Sequence, residues 1–554
     1  MMDREASYVK YDPDWGIRPI EPLPEVPAYS ILTESAKRWP DKVALICCGY
    51  QVTYEELNKL SDQLAQVLVE QFAVKQGDRV GTMMPNCIQH SIAFFAILKT
   101  GAVAVPCNVM YKPRELAYQL KDAEIETLLA LDVFYPVIAQ AQPGSCLKNV
   151  LLTHFSDFAA DKGRVPPPFQ GERREPVGTH DMLKLMAQST LLNEYAPVDV
   201  ENDLGLILYT AGTTGVSKGV MESHRNILAC TFPTIPVYDL TEKDTSLQIM
   251  PMFHCSGYCL VQLPILAAGG TVVHVPLFNP EHCAHWVREH EVSIIFAPPT
   301  FYVGLLNNAE FNKHGYPSLR ITLSCGGPQP EPVRTKWEKT TGRQLWDGYG
   351  MTETMCQGAS VLSMPNKYRP GAIGSAFNCE VKVVDDQGEM VPRRKAGELM
   401  MRGVGIAEGY WRKPEETEKA FVADGWLHSG DAGYMDEDGF VYFVDRYKDI
   451  IVASGYNVAP AEVEAALMSH PAVREAAVIG VPDEYRGETI KAFISLTDNA
   501  KTVGEGEQQL IEDILSYCKE HLATFKLPRA IEVLEEIPKS AVGKVLRRQL
   551  RERQ

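Results

Sequence analysis

A loop of small and hydroxylated residues with one lysine is the first stretch of the sequence that could do chemistry. It follows an apolar run at residues 204–208, which predicts a short buried strand. Glycine lets the backbone approach a ligand closely, and hydroxyls, backbone N–H groups and an ammonium all bind phosphate oxygens. We therefore expect a nucleotide phosphate site here. The residues that would form it are Thr210, Gly212, Thr213, Thr214, Gly215, Ser217 and Lys218.

This loop differs from the phosphate loop of kinases and GTPases. A Walker A loop has glycine before its lysine and serine or threonine after it. Lys218 instead lies between Ser217 and Gly219. The kinase and GTPase interpretations are weakened accordingly.

Two glycine-bearing turns downstream suit a ligand that lies against the backbone at the ends of strands. Tyr349 can stack on a planar base, Thr352 can bond a phosphate, and Glu353 can hold Mg²⁺, which prefers oxygen ligands. The other residues of these turns are Ser324, Cys325, Gly326, Gly327 and Pro328, then Asp347, Gly348, Gly350, Met351 and Thr354.

A further set of polar residues lies toward the C-terminus. The carboxylate of Asp431 can accept both hydroxyls of a ribose, and Arg446 can donate to the same sugar. The charged stretch 445–449 separates a long α/β region from a short one of about a hundred residues, the size of a small domain. By composition alone, Lys544 is an ordinary surface lysine.

Two histidine-bearing stretches have more than one interpretation. His254 follows an apolar strand end, where it is either a packed residue or an imidazole presented to a cleft. Residues 280–290 predict a helix with a histidine and cysteine group at His282, Cys283, His285 and His290. A metal there would need ligands that the sequence does not identify, so a solvated helix face is preferred.

The elements that position these residues alternate between helix and strand. Thr53 and Glu56 form a capping-box pattern, followed by apolar residues at helical spacing. Residues 78–84 predict a strand, 88–100 a helix and 102–106 a second strand, an order that favours parallel βαβ units. Residues 141–200 are rich in proline, glycine and charge and predict a loop-rich surface excursion.

Composition excludes several classes of protein. The chain has 554 residues, 45% of them hydrophobic, and a net charge of −17, which disfavours nucleic-acid binding. Thirteen cysteines occur without a CxxC pair, so reduced core thiols are expected. The N-terminus lacks a secretory pattern, and the apolar stretch 255–275 is interrupted by Gln262, Pro264 and two glycines. We expect a cytoplasmic protein without a transmembrane segment.

Seven motifs in order resemble those of the adenylate-forming acyl-CoA synthetases of the ANL superfamily, relatives of firefly luciferase, aryl-CoA ligases and nonribosomal peptide adenylation domains. The motifs are YTAGTTGVSKG, GGP, YGMTET, GWLHSGD, DRYKD, SGYNVAPAEVE and PKSAVGK. The resemblance runs from about residue 27 to the C-terminus. Ala211 stands where serine is commoner and Ser217 where proline is commoner, and neither change removes a charged group.

The resemblance implies an α/β fold with a large multi-sheet N-terminal adenylation domain, residues 1–447, and a small mobile α+β C-terminal domain, residues 448–554. It implies two steps. A carboxylate attacks the α-phosphorus of ATP and pyrophosphate leaves, and the thiol of coenzyme A then displaces AMP from the acyl-adenylate. The C-terminal domain would rotate about a hinge at Lys448 between the steps.

The resemblance also implies a role for each motif residue. Residues that would be catalytic are Lys544, Thr352, Glu353 and His254, with Glu353 holding Mg²⁺ and Lys544 bridging the carboxylate and the α-phosphate. Residues that would bind ATP or AMP are Thr210, Ala211, Gly212, Thr213, Thr214, Gly215, Lys218, Gly326, Gly327, Pro328, Asp347, Gly348, Tyr349, Gly350, Met351, Thr352, Asp431 and Arg446. Coenzyme A would contact His254, Ser454, Gly455 and Tyr456. The acyl pocket would contain His254, Tyr258, Thr300, Cys325, Gly326 and Gly350.

The acid substrate is read from the apolar neighbourhood of residues 296–302, where no extra basic residue would pair with a second carboxylate. A monocarboxylic acid is expected, and residues 99–116 look most like those of medium- and long-chain fatty acid ligases. Benzoate-like or cinnamate-like acids remain the alternative. Two other classes stay open: a luciferase-like oxygenase and an enzyme that loads a separate carrier protein. A non-catalytic nucleotide-binding protein would be expected to lack Lys544, Glu353 or Asp431, and all three are present. The sequence leaves the oligomeric state open, with a homodimer as one option.

Overall fold

The computed structural model describes residues 7–10, 23–210, 217–327, 329–356, 360–362, 368–453, 456–483, 487–497, 500, 506–539 and 545–553. Within these residues the chain forms four sheets with helices packed against them. It is a mixed α/β protein with a large N-terminal region and a smaller C-terminal one, as expected. Among the described residues, none of the helices combines the length and apolarity needed to cross a lipid bilayer.

The strands, numbered in chain order, are β1 (Tyr8–Lys10), β2 (Val43–Cys47), β3 (Tyr50–Thr53), β4 (Arg79–Met83), β5 (Val103–Pro106), β6 (Thr127–Leu131), β7 (Asn149–Thr153), β8 (His180–Asp181), β9 (Leu204–Thr210), β10 (Lys218–Ser223), β11 (Thr245–Gln248), β12 (Thr271–His274), β13 (Ile294–Ala297), β14 (Ile321–Cys325), β15 (Leu345–Tyr349), β16 (Ser360–Leu362), β17 (Ser375–Phe377), β18 (Glu380–Val384), β19 (Gly397–Arg402), β20 (Gly409–Tyr410), β21 (Phe421–Val422), β22 (Trp426–Met435), β23 (Val441–Arg446), β24 (Ile451–Ala453), β25 (Tyr456–Val458), β26 (Val473–Asp483), β27 (Gly487–Leu496) and β28 (Ala530–Val533).

The α-helices are α1 (Ser30–Arg38), α2 (Tyr54–Phe72), α3 (Ile88–Lys99), α4 (Pro113–Asp122), α5 (Tyr135–Ala141), α6 (Met182–Gln188), α7 (His224–Thr231), α8 (Thr234–Val237), α9 (Leu263–Ala267), α10 (Pro280–Glu289), α11 (Pro299–Leu306), α12 (Ala309–Lys313), α13 (Glu331–Thr341), α14 (Pro414–Ala420), α15 (Pro460–Met468), α16 (Gly506–His521) and α17 (Arg547–Arg551). A π-helical turn, Gly257–Gln262, precedes α9.

Two large sheets form the N-terminal region. One has eight strands in the order β20-β10-β9-β5-β4-β6-β7-β8, and the other has nine in the order β17-β16-β15-β14-β13-β11-β12-β2-β3. Strand β4 runs parallel to β5 and β6, and β14 runs parallel to β13 and β15. Helix α3 is buried along its whole length and packs on α2, so it belongs to the core. The predicted βαβ units are confirmed.

Two smaller sheets complete the fold. A six-stranded sheet is built from β1, β18, β19, β21, β22 and β23. A five-stranded sheet is built from β24 to β28 alone, and its strands surround a separate apolar core with α15 and α16. The charged segment 445–449, predicted to separate two regions, comprises the last two residues of β23 and the 3-10 turn that leads to β24 of the other sheet.

The capping box predicted at Thr53 is confirmed. Its side chain accepts from the backbone N–H of Glu56 at 3.2 Å, and the Glu56 carboxylate accepts from the backbone N–H of Thr53 at 2.8 Å. Helix α2 therefore starts where the sequence predicts, and its apolar face, including Leu57 and Leu64, is buried.

The prediction that residues 141–200 form a loop-rich surface excursion is wrong in part. Strand β7 lies inside the eight-stranded sheet between β6 and β8, and helix α6 packs on α2. The apolar segment of β7 is only five residues long and is flanked by proline, glycine and charge, which masked its pairing with β6. Three short 3-10 turns between β7 and β8 match the predicted irregular structure.

Gly257 fixes the turn that carries His254. A Cβ at Gly257 would lie 2.3 Å from the carbonyl oxygen of Pro251 and 2.8 Å from the Cα of Met252. Both neighbours are backbone atoms that cannot rotate away, so Gly257→Ala should destabilise the protein by about 1–3 kcal/mol. The measurement is the urea denaturation midpoint. Gly315→Ala is the control, because a Cβ at Gly315 meets nothing within 4 Å; equal losses in both variants would contradict the assignment.

Candidate active site

The carboxyl ends of β14 and β15 bring two of the predicted turns side by side. These parallel strands pair residues 324–325 with residues 347–348. Gly326 follows β14 with φ of +85°, and a Cβ there would meet no atom within 4 Å. The backbone of Gly326 therefore faces open space at a strand end, where ligands settle in open α/β sheets. Gly327 is its described neighbour, and Pro328 lies outside the described residues.

A tight turn follows β15 and carries Thr352 and Glu353. It closes through a hydrogen bond from the backbone N–H of Cys356 to the carbonyl oxygen of Met351, at 2.9 Å. A Cβ on Gly350 would lie 2.2 Å from the carbonyl oxygen of Cys356. Only glycine fits at this position, because the two backbone segments approach each other too closely for a side chain.

One end of this turn meets the residues expected to hold a ribose. The Tyr349 hydroxyl donates to Oδ2 of Asp431 at 2.7 Å, and Nε of Arg446 lies 3.4 Å from Oδ1 of Asp431. Asp431 and Arg446 face each other across β22 and β23. Burial and then the Asp431 carboxylate raise the pKa of Tyr349 well above its usual value, which keeps the hydroxyl protonated as a donor.

The other end of the turn reaches the lysine of the phosphate loop through Tyr410. The Tyr410 hydroxyl donates to Oε1 of Glu353 at 2.8 Å, and Nζ of Lys218 lies 4.7 Å from the centroid of the Tyr410 ring. Strand β20, which carries Tyr410, pairs with β10, which begins at Lys218. Tyr410 was missed by sequence reasoning. It lies in the segment EGYWRKP, and nothing in that segment indicates that its tyrosine contacts Glu353.

Strands β9 and β10 hold the two ends of the phosphate loop. Thr210 and Lys218 are paired across this antiparallel hairpin, and the Ser217 hydroxyl donates to the Thr210 carbonyl oxygen. The Tyr118 hydroxyl donates to the carbonyl oxygen of Ser217 at 3.0 Å. The predicted loop residues Ala211, Gly212, Thr213, Thr214 and Gly215 lie outside the described residues.

Asp347 forms an ion pair that the sequence did not suggest. Its Oδ2 lies 2.6 Å from Nη2 of Arg334, a buried residue of α13. Burial raises the pKa of Asp347 to about 6, against the opposing effect of the Arg334 charge. The side chain of Asp347 is thus held by Arg334, and Gly348 beside it leaves the backbone accessible at the strand end.

His254 and Thr352 lie on either side of Cys255. Nδ1 of His254 is 2.8 Å from the Ser256 hydroxyl and 3.5 Å from Sγ of Cys255, whose sulfur is 3.6 Å from Oγ1 of Thr352. His254 is half-buried, and its contacts are with Ser256 and Cys255. Both interpretations of His254, as a packed residue or as an imidazole presented to a cleft, remain predictions.

The residues expected in an acyl pocket have different environments. Tyr258 is fully buried, with its hydroxyl 3.3 Å from Nε2 of His90 and its ring 4.5 Å from that of Phe94. Thr300 is exposed at the start of α11, and Cys325 is nearly buried at the end of β14. In this conformation Tyr258 and Thr300 do not share one accessible surface.

Residues expected to act from the C-terminal region are described only in part. Lys448 lies in the 3-10 turn Tyr447–Asp449, which joins β23 to β24. Ser454, Gly455 and Lys544, together with the side chain of Tyr456, lie outside the described residues. Asp449 beside the predicted hinge is paired with Arg551 of α17 at 2.6 Å.

The histidines and cysteine of α10 and His290 do not all meet at one point. Cys283 is buried in an apolar core, while the His282 ring packs on Trp286 at 5.7 Å. His285 and His290 both approach Oε2 of Glu289, at 3.2 and 3.7 Å, and the described residues form no metal-binding group there. The preferred interpretation as a helix face is therefore retained.

Glu222 is a buried acid that sequence reasoning also missed. It lies on β10, is fully buried, and neither carboxylate oxygen has a hydrogen-bond partner among the described residues. Burial, and then the neighbouring Cys255, raise the pKa of Glu222 well above its usual value. Burial thus favours the neutral form of this carboxyl group, which disfavours a second negative charge beside Glu353.

Glu222→Gln tests this interpretation through the pH dependence of stability. Because Glu222 ionises at lower pH in the unfolded chain, the unfolded state binds fewer protons between the two pKa values. Glu222 should therefore contribute a fall of about 1.4 kcal/mol per pH unit to the wild-type free energy of unfolding in that window, and the variant should lose this contribution. The free energy of unfolding, measured in urea, is compared at pH 5 and pH 8. The difference between the variant and the wild type should change in favour of the variant by at least about 1.4 kcal/mol over this range.

Glu418→Gln is the matched control, because Glu418 is exposed on α14. It should follow the wild-type pH profile. A Glu222→Gln profile parallel to the wild type would show that Glu222 is ionised in the folded protein.

Comparison with known proteins identifies both regions of the chain. The family model described as "AMP-binding enzyme" matches residues 32–411, and the model described as "AMP-binding enzyme C-terminal domain" matches residues 462–544. The first match alone covers most of the chain and includes the turns at β14 and β15.

Individual relatives cover almost the whole length. A long-chain-fatty-acid–CoA ligase of Bacillus subtilis (strain 168) is 37% identical over 96% of this chain and 95% of the relative. A long-chain-fatty-acid–CoA ligase of Escherichia coli O6:H1 is 34% identical over 94% and 93%. The crystal structure of the anthranilate CoA ligase AuaEII with anthranoyl-AMP superposes with a TM-score of 0.86 at 28% identity, covering 96% of this chain and 98% of that one. The chain belongs to the AMP-binding enzyme family, as one of its acyl-CoA synthetases.

Proposed function

We propose that this protein joins a long-chain fatty acid to coenzyme A through an acyl-adenylate, at the site built around the turn after β15. The observation that carries the proposal is that this one turn contacts Asp431 through Tyr349 at one end and approaches Lys218 through Glu353 and Tyr410 at the other. A nucleotide lying along the turn has its sugar at one end and its phosphates at the other.

The nucleoside would bind at the Asp431 end. The Asp431 carboxylate has hydrogen-bond acceptors for the two ribose hydroxyls, and Arg446 beside it donates to the same sugar. The Tyr349 hydroxyl holds the carboxylate, which leaves the ring of Tyr349 as a surface for adenine. Gly326 and Gly327 leave the end of β14 open to the base. The backbone of Asp347, Gly348, Gly350 and Met351 would complete the binding surface.

The phosphates would lie toward Lys218 and Thr352, with residues 210–215 wrapped around the departing pyrophosphate. The phosphoryl step develops charge on oxygen atoms, so fixed cations and hydroxyls supply most of the catalysis. The pairing of β10 with both β9 and β20, which fixes the backbone at Lys218, supports this role.

Glu353 fits the role of a Mg²⁺ ligand. Its carboxylate offers hard oxygen atoms, one of which already accepts from Tyr410, and the group is nearly buried beside the lysine of the phosphate loop. When bound, Mg²⁺ neutralises charge on the phosphates. The chain's own contribution is to orient Glu353 through Tyr410.

The second step would use the C-terminal region. We assign residues 1–447 to an adenylation domain and residues 448–554 to a mobile domain, since Lys448 lies where the chain passes from β23 to the separate sheet that begins with β24. Lys544 would serve adenylation, and rotation about Lys448 would then bring Ser454, Gly455 and Tyr456 to the thiol of coenzyme A. His254, which is half-buried and separated from Thr352 by Cys255, would lie between the acyl pocket and that thiol.

A fatty acid is favoured by two observations. The two curated relatives above, at 34% and 37% identity, are named as long-chain-fatty-acid–CoA ligases. The apolar segment 296–302, at the end of β13 and the start of α11, also has no basic residue that would pair with a second carboxylate. An aromatic acid is the alternative, because AuaEII binds anthranoyl-AMP on the same fold.

The function is tested by AMP release with ATP, Mg²⁺ and coenzyme A across a panel of acids. Dodecanoate and hexadecanoate should give at least about tenfold more AMP than benzoate, cinnamate or anthranilate, because an apolar pocket gains about 0.8 kcal/mol per buried methylene. A preference for the aromatic acids would replace the fatty acid with the alternative. Failure of every acid to release AMP would overturn the proposal.

Lys544→Ala supplies the matched variant for this experiment. It should lose adenylation by at least about a hundredfold, as expected for one transition-state charge donor. A supplied acyl-adenylate should still be converted to thioester. Equal loss of both half-reactions would argue against the exchange of domains.

Tyr410→Phe tests the orientation of Glu353. The substitution keeps the ring under Lys218 and removes only the hydroxyl that donates to Glu353, so the Mg²⁺ concentration for half-maximal pyrophosphate exchange should rise about tenfold. Excess Mg²⁺ should restore the rate. Tyr316→Phe is the control, because the Tyr316 hydroxyl bonds the Phe311 carbonyl oxygen in a different core. A loss that Mg²⁺ does not restore would contradict this role.

A further inference from the structure

Four cysteines converge directly behind the turn that carries Thr352 and Glu353. The Cys259 thiol contacts those of Cys230 and Cys356, and Sγ of Cys356 lies 2.8 Å from Sγ of Cys255. We call these four residues the thiol cluster. The proposed function uses none of their sulfur atoms.

The spacing of the Cys255 and Cys356 sulfurs distinguishes between a metal site and a disulfide. Two thiolates on one tetrahedral Zn²⁺ lie about 3.8 Å apart, given Zn–S bonds of about 2.3 Å. A disulfide bond is about 2.05 Å long. At 2.8 Å the two sulfurs are already closer than a shared zinc ion allows, and less than an ångström from bonding distance. His254 and the two thiols could otherwise be taken for a metal-binding group.

We propose that Cys255 and Cys356 form a reversible disulfide when the protein meets a peroxide, and that this bond switches off the site beside it. The switching part rests on the proposed function, whereas formation of the bond does not. The two cysteines are separated by 101 residues in sequence, so the bond would join the His254 segment to the turn after β15.

The chemistry balances with hydrogen peroxide as the oxidant. The Cys356 sulfur attacks one peroxide oxygen and the O–O bond breaks. Water leaves with the thiol proton, and Cys356 becomes a sulfenic acid. The Cys255 sulfur then attacks the Cys356 sulfur, the S–S bond forms, the S–O bond breaks and a second water leaves. Two thiols lose two electrons in total, and one peroxide gains them.

The order of these steps follows from access and from the nearest base. Cys356 is 8% exposed whereas Cys255 is fully buried, so peroxide reaches Cys356 first. Burial raises the pKa of the Cys255 thiol well above its usual value, and the opposing influence comes from His254. Nδ1 of His254, 3.5 Å from the Cys255 sulfur, is placed to take the proton as that thiol attacks.

Bond formation would displace the turn after β15, which carries Thr352 and Glu353. Cys356 belongs to the turn that its backbone closes on Met351, and its carbonyl oxygen lies against Gly350 with no room for a Cβ. Oγ1 of Thr352 is 3.6 Å from the Cys255 sulfur. A shift of the sulfurs by most of an ångström therefore moves Thr352 and Gly350, and misplacement of catalytic groups by about 1 Å can cost a hundredfold in rate.

The experiment treats the full-length protein with equimolar hydrogen peroxide, quenches it with catalase, and divides the sample. One portion is digested with trypsin without reduction, and mass spectrometry should find residues 244–288 linked to residues 344–367. Fragment ions should place the link at Cys255 rather than at Cys259 or Cys283. The other portion is assayed for acid-dependent pyrophosphate exchange, which should fall at least tenfold and return to within twofold of its starting value with dithiothreitol.

Variants complete the test. Cys356→Ser and Cys255→Ser should each lose less than twofold of their own reduced activity on oxidation, and melting curves should confirm that each variant is folded. Cys283→Ser, which removes a buried thiol of another core, should respond as the wild type does. All these proteins also carry Cys146→Ser. Cys146 is only partly buried, whereas the other cysteines are buried, so this substitution removes the thiol that peroxide reaches most easily.

Three results would overturn the proposal. They are the absence of the Cys255–Cys356 linkage after oxidation, equal inactivation of Cys356→Ser, and a linked protein that retains full activity. A reduced enzyme without any pyrophosphate exchange would instead refute the proposed function, and the linked peptide would still decide whether the disulfide forms.

Discussion

The close approach of Gly350 to the Cys356 carbonyl oxygen is the constraint on which the candidate site depends. It lets the chain leave β15 in a turn so tight that its residues reach three sheets. Tyr349 belongs to the nine-stranded sheet and holds Asp431 of the six-stranded sheet, while Glu353 accepts from Tyr410 of the eight-stranded sheet. Each sheet packs separately. The contacts of this turn therefore fix how the residues of the three sheets are placed relative to one another in the candidate site.

The electrostatic potential at this turn depends on the local cations and hydrogen-bond donors more than on the net charge of the chain. The chain carries a net charge of −17, yet its substrates would be anions, so attraction must come from fixed local cations such as Lys218 and Arg446. The nearby carboxylates are each held by a donor. Glu222 is the exception: neither of its carboxylate oxygens has a partner among the described residues, and burial raises its pKa and favours the neutral form. Burial thus limits the negative charge beside Glu353, where phosphates would bind.

Sequence patterns predicted the parts of this structure that depend on neighbouring residues. Strand β9, the capping box at Thr53 and the parallel units around β4 follow from local periodicity and capping. Tyr410 could not be found in this way, because it meets Glu353 only after β20 pairs with β10. The Arg334 partner of Asp347 likewise comes from helix packing on β15. Strand β7 was missed because proline, glycine and charge surround a short apolar segment.

The thiol cluster and the turn illustrate how a small local change can have a large effect in a packed interior. Protein cores are as dense as organic crystals, so a displacement is passed to neighbouring groups. Cys356 is in close contact on both sides: its carbonyl oxygen packs against Gly350, and its sulfur contacts the sulfur of Cys255. A bond between Cys255 and Cys356 shortens a contact by less than an ångström. Since the Cys255 sulfur also contacts Thr352, the proposed bond would change the position of Thr352 in the turn after β15.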